Sequence, residues 1–243
     1  MSKPWFECWF NEDYEQIYSH RDNREAKQII SLFEKTVQPL THSTVLDLCC
    51  GLGRVSHLLG EHALKVHAID LSEYFISRCN EENDLDNVTY EVLDIRNIYW
   101  VNEFDVIFHI FTSFGYFETL EENLAVFDRI YKAMKHGAYY FFDFLNEVEL
   151  RSNLDKRSVI RRDDCSVQVT RLIENNRVIK DIIISKQSEQ NSYQESVQLI
   201  SKDSFDSYFK QLGFKTIAVF GDYKGNPFKL EKSKRLIYLL QKD

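Results

Sequence analysis

The chain has 243 residues, 44% of them hydrophobic, and a formal net charge of −8. That length can bury a sizeable core in one enzyme-sized unit, and no stretch reads as a targeting or membrane-spanning segment, so a soluble cytoplasmic protein without a membrane partner is expected. Residues 1–150 hold 12 Lys and Arg against 26 Asp and Glu, while residues 151–243 hold 18 against 12; the acidic first part argues against a nucleic-acid partner, whose binding rests on neutralised phosphates.

In chain order, Trp5, Phe6, Trp9, Phe10, Tyr14 and Ile17 recur at helical spacing and either pack together or cover a ligand. Asp22 with Glu25 makes a capping box for a helix through Ala26, Ile29, Ile30, Phe33 and Val37 that ends near Pro39. The run Val45-Leu-Asp-Leu-Cys-Cys-Gly-Leu-Gly-Arg54 reads as strand, glycine turn and the start of a helix around Val55 to Leu59. A second strand, Lys65 to Asp70, ends in a carboxylate placed to hydrogen-bond a ribose diol. Ser72 caps a helix over Glu73 to Asn80, and Phe104 to Phe111 reads as a fourth strand.

Thr119 with Glu122 is a second capping box, for a helix carrying Leu124, Phe127, Ile130, Tyr131 and Met134 and stopping at Gly137. Tyr139 to Phe144 is a fifth strand, which completes the alternating order of a parallel sheet. Beyond Asn146 the pattern changes to short strands at Ser158–Arg162, Ser166–Glu174, Val178–Lys186 and Ser192–Ile200, turning at Asp163-Asp164 and Asn175-Asn176, which together form an antiparallel insert. A helix over Ser204 to Leu212, capped by Asp203 or Ser204 and stopped by Gly213, precedes strands at Lys215–Phe220 and Arg235–Leu240.

A dinucleotide dehydrogenase also uses a glycine turn and a downstream acid, but the third glycine of that fingerprint is replaced here by Ser56. Asp47 stands just before the turn instead, where it either receives an ammonium group or orients the loop. These residues resemble the class I S-adenosylmethionine (SAM) dependent methyltransferases: Asp47, Gly51 and Gly53 match the first motif, with Cys49 where glycine is commonest. The resemblance continues through Asp70 and the adjoining Leu71 for the ribose hydroxyls, Asp94 and Ile95 facing the adenine, and the strand that ends at Phe111 before the active-site loop. It extends to the amino terminus, where Tyr14, Tyr18 and Arg21 are placed to close over SAM, Arg21 offering a planar fork to the methionine carboxylate.

The resemblance implies an α/β fold: a doubly wound, Rossmann-like sheet, mostly parallel with an antiparallel last strand, plus a small antiparallel β insert as a lid. A single unit over residues 1–243 then divides into a helical cap (1–40), a SAM-binding core (45–150), the insert (156–200), and a last helix with an edge hairpin (201–243). It also implies transfer of the SAM methyl group, leaving S-adenosylhomocysteine, by in-line displacement that asks the protein mainly for positioning. The loop Thr112 to Phe117 marks the transfer chamber, with Tyr116, Asn146 and His109 as acceptor-contacting residues; Asn146 also reads as a strand-end turn and His109 as a core histidine.

The tract after the fourth strand lacks the Asn-Pro-Pro-Tyr or Asp-Pro-Pro-Tyr signature of nucleic-acid amino methylation, and there is no double-glutamate loop of protein arginine methylation. A nitrogen or oxygen of a small molecule is therefore the expected acceptor. Five cysteines without paired ligand spacing suggest neither disulfides nor a metal site. The alternatives are a catalytically silent methyltransferase-like binding domain and an NAD-dependent oxidoreductase.

Overall fold

The computed structural model describes residues 3–18, 23–161, 165–186 and 189–243. It opens with helices α1 (Trp5–Cys8), α2 (Glu12–Tyr18) and α3 (Arg24–Thr36), then alternates β1 (Thr44–Leu48), α4 (Arg54–His62), β2 (Lys65–Asp70), α5 (Glu73–Glu82) and β3 (Val88–Val92). Next come β4 (Phe104–His109), α6 (Leu120–Ala133), β5 (Met134–Leu145) and α7 (Glu147–Ser152). The insert strands are β6 (Arg157–Arg161), β7 (Ser166–Glu174), β8 (Arg177–Lys186) and β9 (Glu189–Gln198), followed by α8 (Lys202–Leu212), β10 (Phe214–Phe220) and β11 (Arg235–Lys242).

One sheet has seven strands in the order β3-β2-β1-β4-β5-β11-β10. β1 to β5 are mutually parallel, and β11 lies antiparallel between β5 and β10. Strand alternation divides the core between the two faces. Leu46, Ile107, Phe142 and Tyr238 pack with Phe127 of α6 and Phe205 of α8. Val45, Val106, Phe108 and Ile237 face the other way, toward Ile30 and Phe33 of α3 and Leu59 of α4. The order reverses between β1 and β4, which opens a crevice at the carboxyl ends of these strands.

The insert is a separate antiparallel sheet, β6-β7-β8-β9. Its buried side chains, Val167, Val169, Ile182 and Ile184, share a third core with Trp9 and Ile17 of the amino-terminal segment. The expected amino-terminal helix is therefore two short ones, broken where Asn11 turns the chain: its Oδ1 accepts from the Asp13 amide at 3.0 Å and its Nδ2 donates to the Cys8 carbonyl at 3.0 Å.

Ser72 caps α5 and the Thr119–Glu122 box caps α6, as expected. Helix α8 starts earlier than expected, because Ser201 accepts from the Ser204 amide and so replaces Asp203 or Ser204 as cap. Gly213 stops it at φ 91°. The Asp22 cap and the Asp163-Asp164 turn lie outside the described residues.

Candidate functional site

A single cavity of about 1160 Å³ occupies the crevice and extends beneath the insert sheet. Ligand pockets commonly span about 300–1,000 Å³, so this one has room for two small molecules side by side.

Its floor is the turn after β1. Cys49 and Gly51 both have φ 57°, and nothing lies within 4 Å of where a Gly51 Cβ would project, so the backbone itself faces open space. The Gly51 amide donates to Asp70 Oδ2 at 2.8 Å and the Ser72 amide to Oδ1 at 2.9 Å, which ties the turn to the end of β2. Burial pushes the Asp70 carboxyl up, against the pull of these amides. Burial and the nearby Asp70 also raise the Cys49 and Cys50 thiols, which keeps them protonated and unsuited to nucleophilic work.

Asp94, at the start of a short 3-10 turn, adds a second carboxylate to the wall. Burial raises it, but the Arg96 fork, donating through Nε at 3.0 Å and Nη2 at 2.5 Å, holds it below the usual carboxylate range. Leu71, Ile95, Phe111, Tyr14 and Tyr18 line the same space. Tyr14 and Tyr18 also pack against each other at 4.5 Å between ring centroids, so these aromatics pack together while lining the cavity. Arg21 lies outside the described residues.

Tyr116 projects into the cavity from the loop after β4, its ring 4.6 Å from that of Trp5. Burial raises its phenol well above the ordinary value, with a further push from Glu195. A protonated phenol donates a hydrogen bond; it does not take a proton.

Four of the residues singled out in the sequence do not line the cavity. Asp47 is 1% exposed beneath the turn and accepts from Ser56 Oγ at 2.6 Å, so it braces the loop and meets no ligand ammonium. A Cβ on Gly53 would come within 2.9 Å of Cys79 Sγ and the Tyr90 hydroxyl, so that glycine serves close packing. Asn146 is 2% exposed, donating to the Leu230 and Ser233 carbonyls at 2.6 and 2.7 Å and accepting from the Val148 amide. Its amide is fully engaged in pinning the loop before β11, which corrects the acceptor-contact expectation in favour of the turn. His109 is fully buried; its Nε2 donates to the Ser113 carbonyl at 2.8 Å, leaving Nδ1 to accept from the Tyr140 hydroxyl at 3.0 Å. Burial lowers it to about 4, so it is a neutral core residue and no acceptor contact.

Four further residues, Asp143, Arg177, Lys180 and Glu195, shape the site. Phe111 and Thr112 sit at φ 59° and 63°, a left-handed pair held by the Asp143 carboxylate, which accepts from the Phe111 amide, Tyr223 Oη and Arg235 Nε at 2.7–2.8 Å. Arg177 of β8 donates to the carbonyls of Gly115, Tyr116 and Phe117 at 3.0, 3.2 and 2.9 Å, fixing the loop from the insert side. From the same side Lys180 and Glu195 face the cavity, paired at 3.0 Å. Among the described residues no group of three His, Cys, Asp or Glu side chains could hold a metal ion, and no helix is long and apolar enough to cross a membrane.

Comparison with known proteins agrees with this geometry. Residues 45–137 match a family described as a methyltransferase domain. Cypemycin N-terminal methyltransferase from a Streptomyces species is 25% identical over 208 residues, covering 83% of this chain and 84% of its own. Among solved structures, an S-adenosylmethionine-dependent methyltransferase from Clostridium acetobutylicum superposes with a TM-score of 0.82 at 18% identity, over 95% of this chain and 98% of its own. SAM-bound CalS10, an amino pentose methyltransferase from Micromonospora echinaspora, gives 0.73 at 14% identity, over 96% and 97%.

Proposed function

We propose that the chain is a SAM-dependent methyltransferase of class I, and that it methylates a nitrogen or oxygen of a small molecule held between the Tyr116 loop and the insert sheet. The observation that carries this reading is one continuous cavity lined by the glycine turn, by Asp70 and Asp94, and by a cluster of aromatic side chains. The residues present fit the cofactor. On this reading Asp70 receives the ribose hydroxyls, Asp94 and Ile95 face the adenine, and Gly51 leaves backbone space for close approach. Tyr14, Tyr18, Leu71 and Phe111 complete the enclosure.

SAM, when bound, supplies an electrophilic methyl group on a sulfonium. The protein's part is to orient the acceptor and exclude water. Tyr116 donates a hydrogen bond to a group beside the acceptor atom, leaving the attacking lone pair free, and the surrounding aromatic faces favour cationic character there. The insert sheet acts as the lid. The names of two relatives, an N-terminal methyltransferase and an amino pentose methyltransferase, direct the acceptor search to amines as well as hydroxyls. The acidic first part of the chain suits a small molecule better than a nucleic acid.

Calorimetric titration with S-adenosylhomocysteine, with NAD in parallel, tests the reading. Saturable binding of S-adenosylhomocysteine alone is expected, followed by its release from SAM in the presence of an amine or hydroxyl acceptor. NAD binding alone refutes the proposal, and tight S-adenosylhomocysteine binding without turnover on any acceptor class favours a silent binding domain.

A further inference from the structure

We propose that Glu195 of β9 reads the methyl acceptor, and that the acceptor it selects is an aliphatic amine. The inference rests on the methyltransferase reading above and adds a substrate class to it.

Beneath the insert the chamber is walled by Trp5, Phe6, Phe10, Tyr14, Tyr116 and Phe117. Aromatic faces attract cations, most strongly where water is excluded. The carboxylates lining the cavity are not equally available. Asp70 accepts amides on both oxygens, Asp94 is gripped by Arg96, and Asp222 is engaged by Lys224 and Asn226. Glu25 is exposed on α3.

Glu195 differs from all of these. Its Oε1 accepts from Trp9 Nε1 at 2.7 Å and from Lys180 Nζ at 3.0 Å, so the carboxylate is held in one orientation. Among the described residues its Oε2 has no hydrogen-bond partner, although the side chain is only 22% exposed and borders the cavity. An oriented, half-satisfied carboxylate in an aromatic chamber complements an N–H-bearing cation; the bound ammonium releases one proton to solvent before its nitrogen lone pair attacks the methyl group, since a protonated amine has no electron pair to give.

Lys180 does not compete for that oxygen. It is tied to the Tyr18 hydroxyl at 2.7 Å and to the opposite oxygen of Glu195. An acceptor carrying a carboxylate or phosphate at the same point meets a like charge at Oε2. A neutral hydroxyl can donate there but gains no ionic attraction. Amine over alcohol is therefore the discrimination that this geometry produces.

The test is calorimetry on the full chain saturated with S-adenosylhomocysteine, using cyclohexylamine and cyclohexanol as probes of matched shape at neutral pH. The amine is expected to bind about tenfold or more tighter, the scale of one charge-assisted hydrogen bond. In Glu195→Gln, which keeps an acceptor for Trp9, the two probes are expected to bind within about threefold of each other, with S-adenosylhomocysteine affinity unchanged. Lys180→Met separates this role from a structural one: it removes the neighbouring cation but leaves the carboxylate, so the amine preference is expected to persist or grow. Equal binding of both probes, binding of neither, a preference that survives Glu195→Gln, or its collapse in Lys180→Met overturns the inference. Failure of S-adenosylhomocysteine to bind the parent chain strikes instead at the methyltransferase reading beneath it.

Discussion

Asp47 and His109 are both shut inside the fold, at 1% and 0% exposure, and they bias stability in opposite directions with pH. Burial raises Asp47 from 3.8 to about 7, so the folded chain holds a proton that the unfolded chain has lost. Its contribution is whole below about 4 and is lost as pH rises through about 7. Burial lowers His109 from 6.5 to about 4, so its contribution is present above about 6.5 and is lost as pH falls through about 4. Between those limits the two slopes largely cancel. Asp47→Asn removes one of them: relative to the parent, the variant is expected to gain stability from pH 4 to 7, by at most about 1.4 kcal/mol per pH unit. Urea unfolding at a series of pH values checks this, and a difference that does not vary with pH refutes it. Asp70→Ala, in contrast, acts on the ligand. On the proposed reading it removes a ribose acceptor, worth about 1.5–3 kcal/mol per hydrogen bond, and it frees the Gly51 amide, so calorimetry is expected to show S-adenosylhomocysteine affinity reduced by about tenfold or more.

The residues that were legible in the sequence are those whose partners lie close by in the chain or whose spacing forms a motif, such as Gly51 with Asp70. Asp143, Arg177 and Glu195 were not legible. Each acts on a segment brought to it only by folding, as when Arg177 reaches the carbonyls of Gly115 to Phe117 some sixty positions earlier. Asn146 and His109 sit at strand ends near the site, but proximity in sequence does not give access to the cavity. Burial and hydrogen bonding turn both away from it.

At the level of elements, local rules served best where one helix satisfies its own ends. The Thr119–Glu122 box is formed as the sequence indicates, and Thr119→Ala is expected to lower unfolding free energy by about 1 kcal/mol in chemical denaturation. Local rules failed where tertiary packing set the boundary. The aromatic run from Trp5 to Ile17 satisfies helical spacing, yet it breaks at Asn11 so that its pieces can follow the insert sheet. The insert in turn holds the transfer loop. Arg177→Met removes donors to three consecutive loop carbonyls, and the expected result is a fall in kcat by about tenfold or more, since hydrogen bonds from a charged group are worth about 1.5–3 kcal/mol. S-adenosylhomocysteine binding, which the proposed function assigns to the glycine turn, Asp70 and Asp94, is expected to change little. Equal losses in both would show that the clamp supports the fold as a whole.

For the molecule as a whole, the mostly parallel sheet between helical layers is legible in the alternation of strands and helices, but β3 is not marked as a strand there and β5 begins at Met134, inside the stretch expected to stay helical as far as Gly137. The four-stranded insert was readable as strands, but its partner was not, since nothing local links Trp9 and Ile17 to Val167 and Ile182. That shared third core makes the roof of the cavity a composite of two distant stretches of chain. Specificity in this architecture is therefore a two-piece module. A chimera that takes residues 156–200 from a relative with a different acceptor, while keeping the native amino terminus, pairs a foreign sheet with the wrong aromatic plug. It is expected to melt lower and to show the donor's acceptor preference only when residues 3–18 travel with the graft.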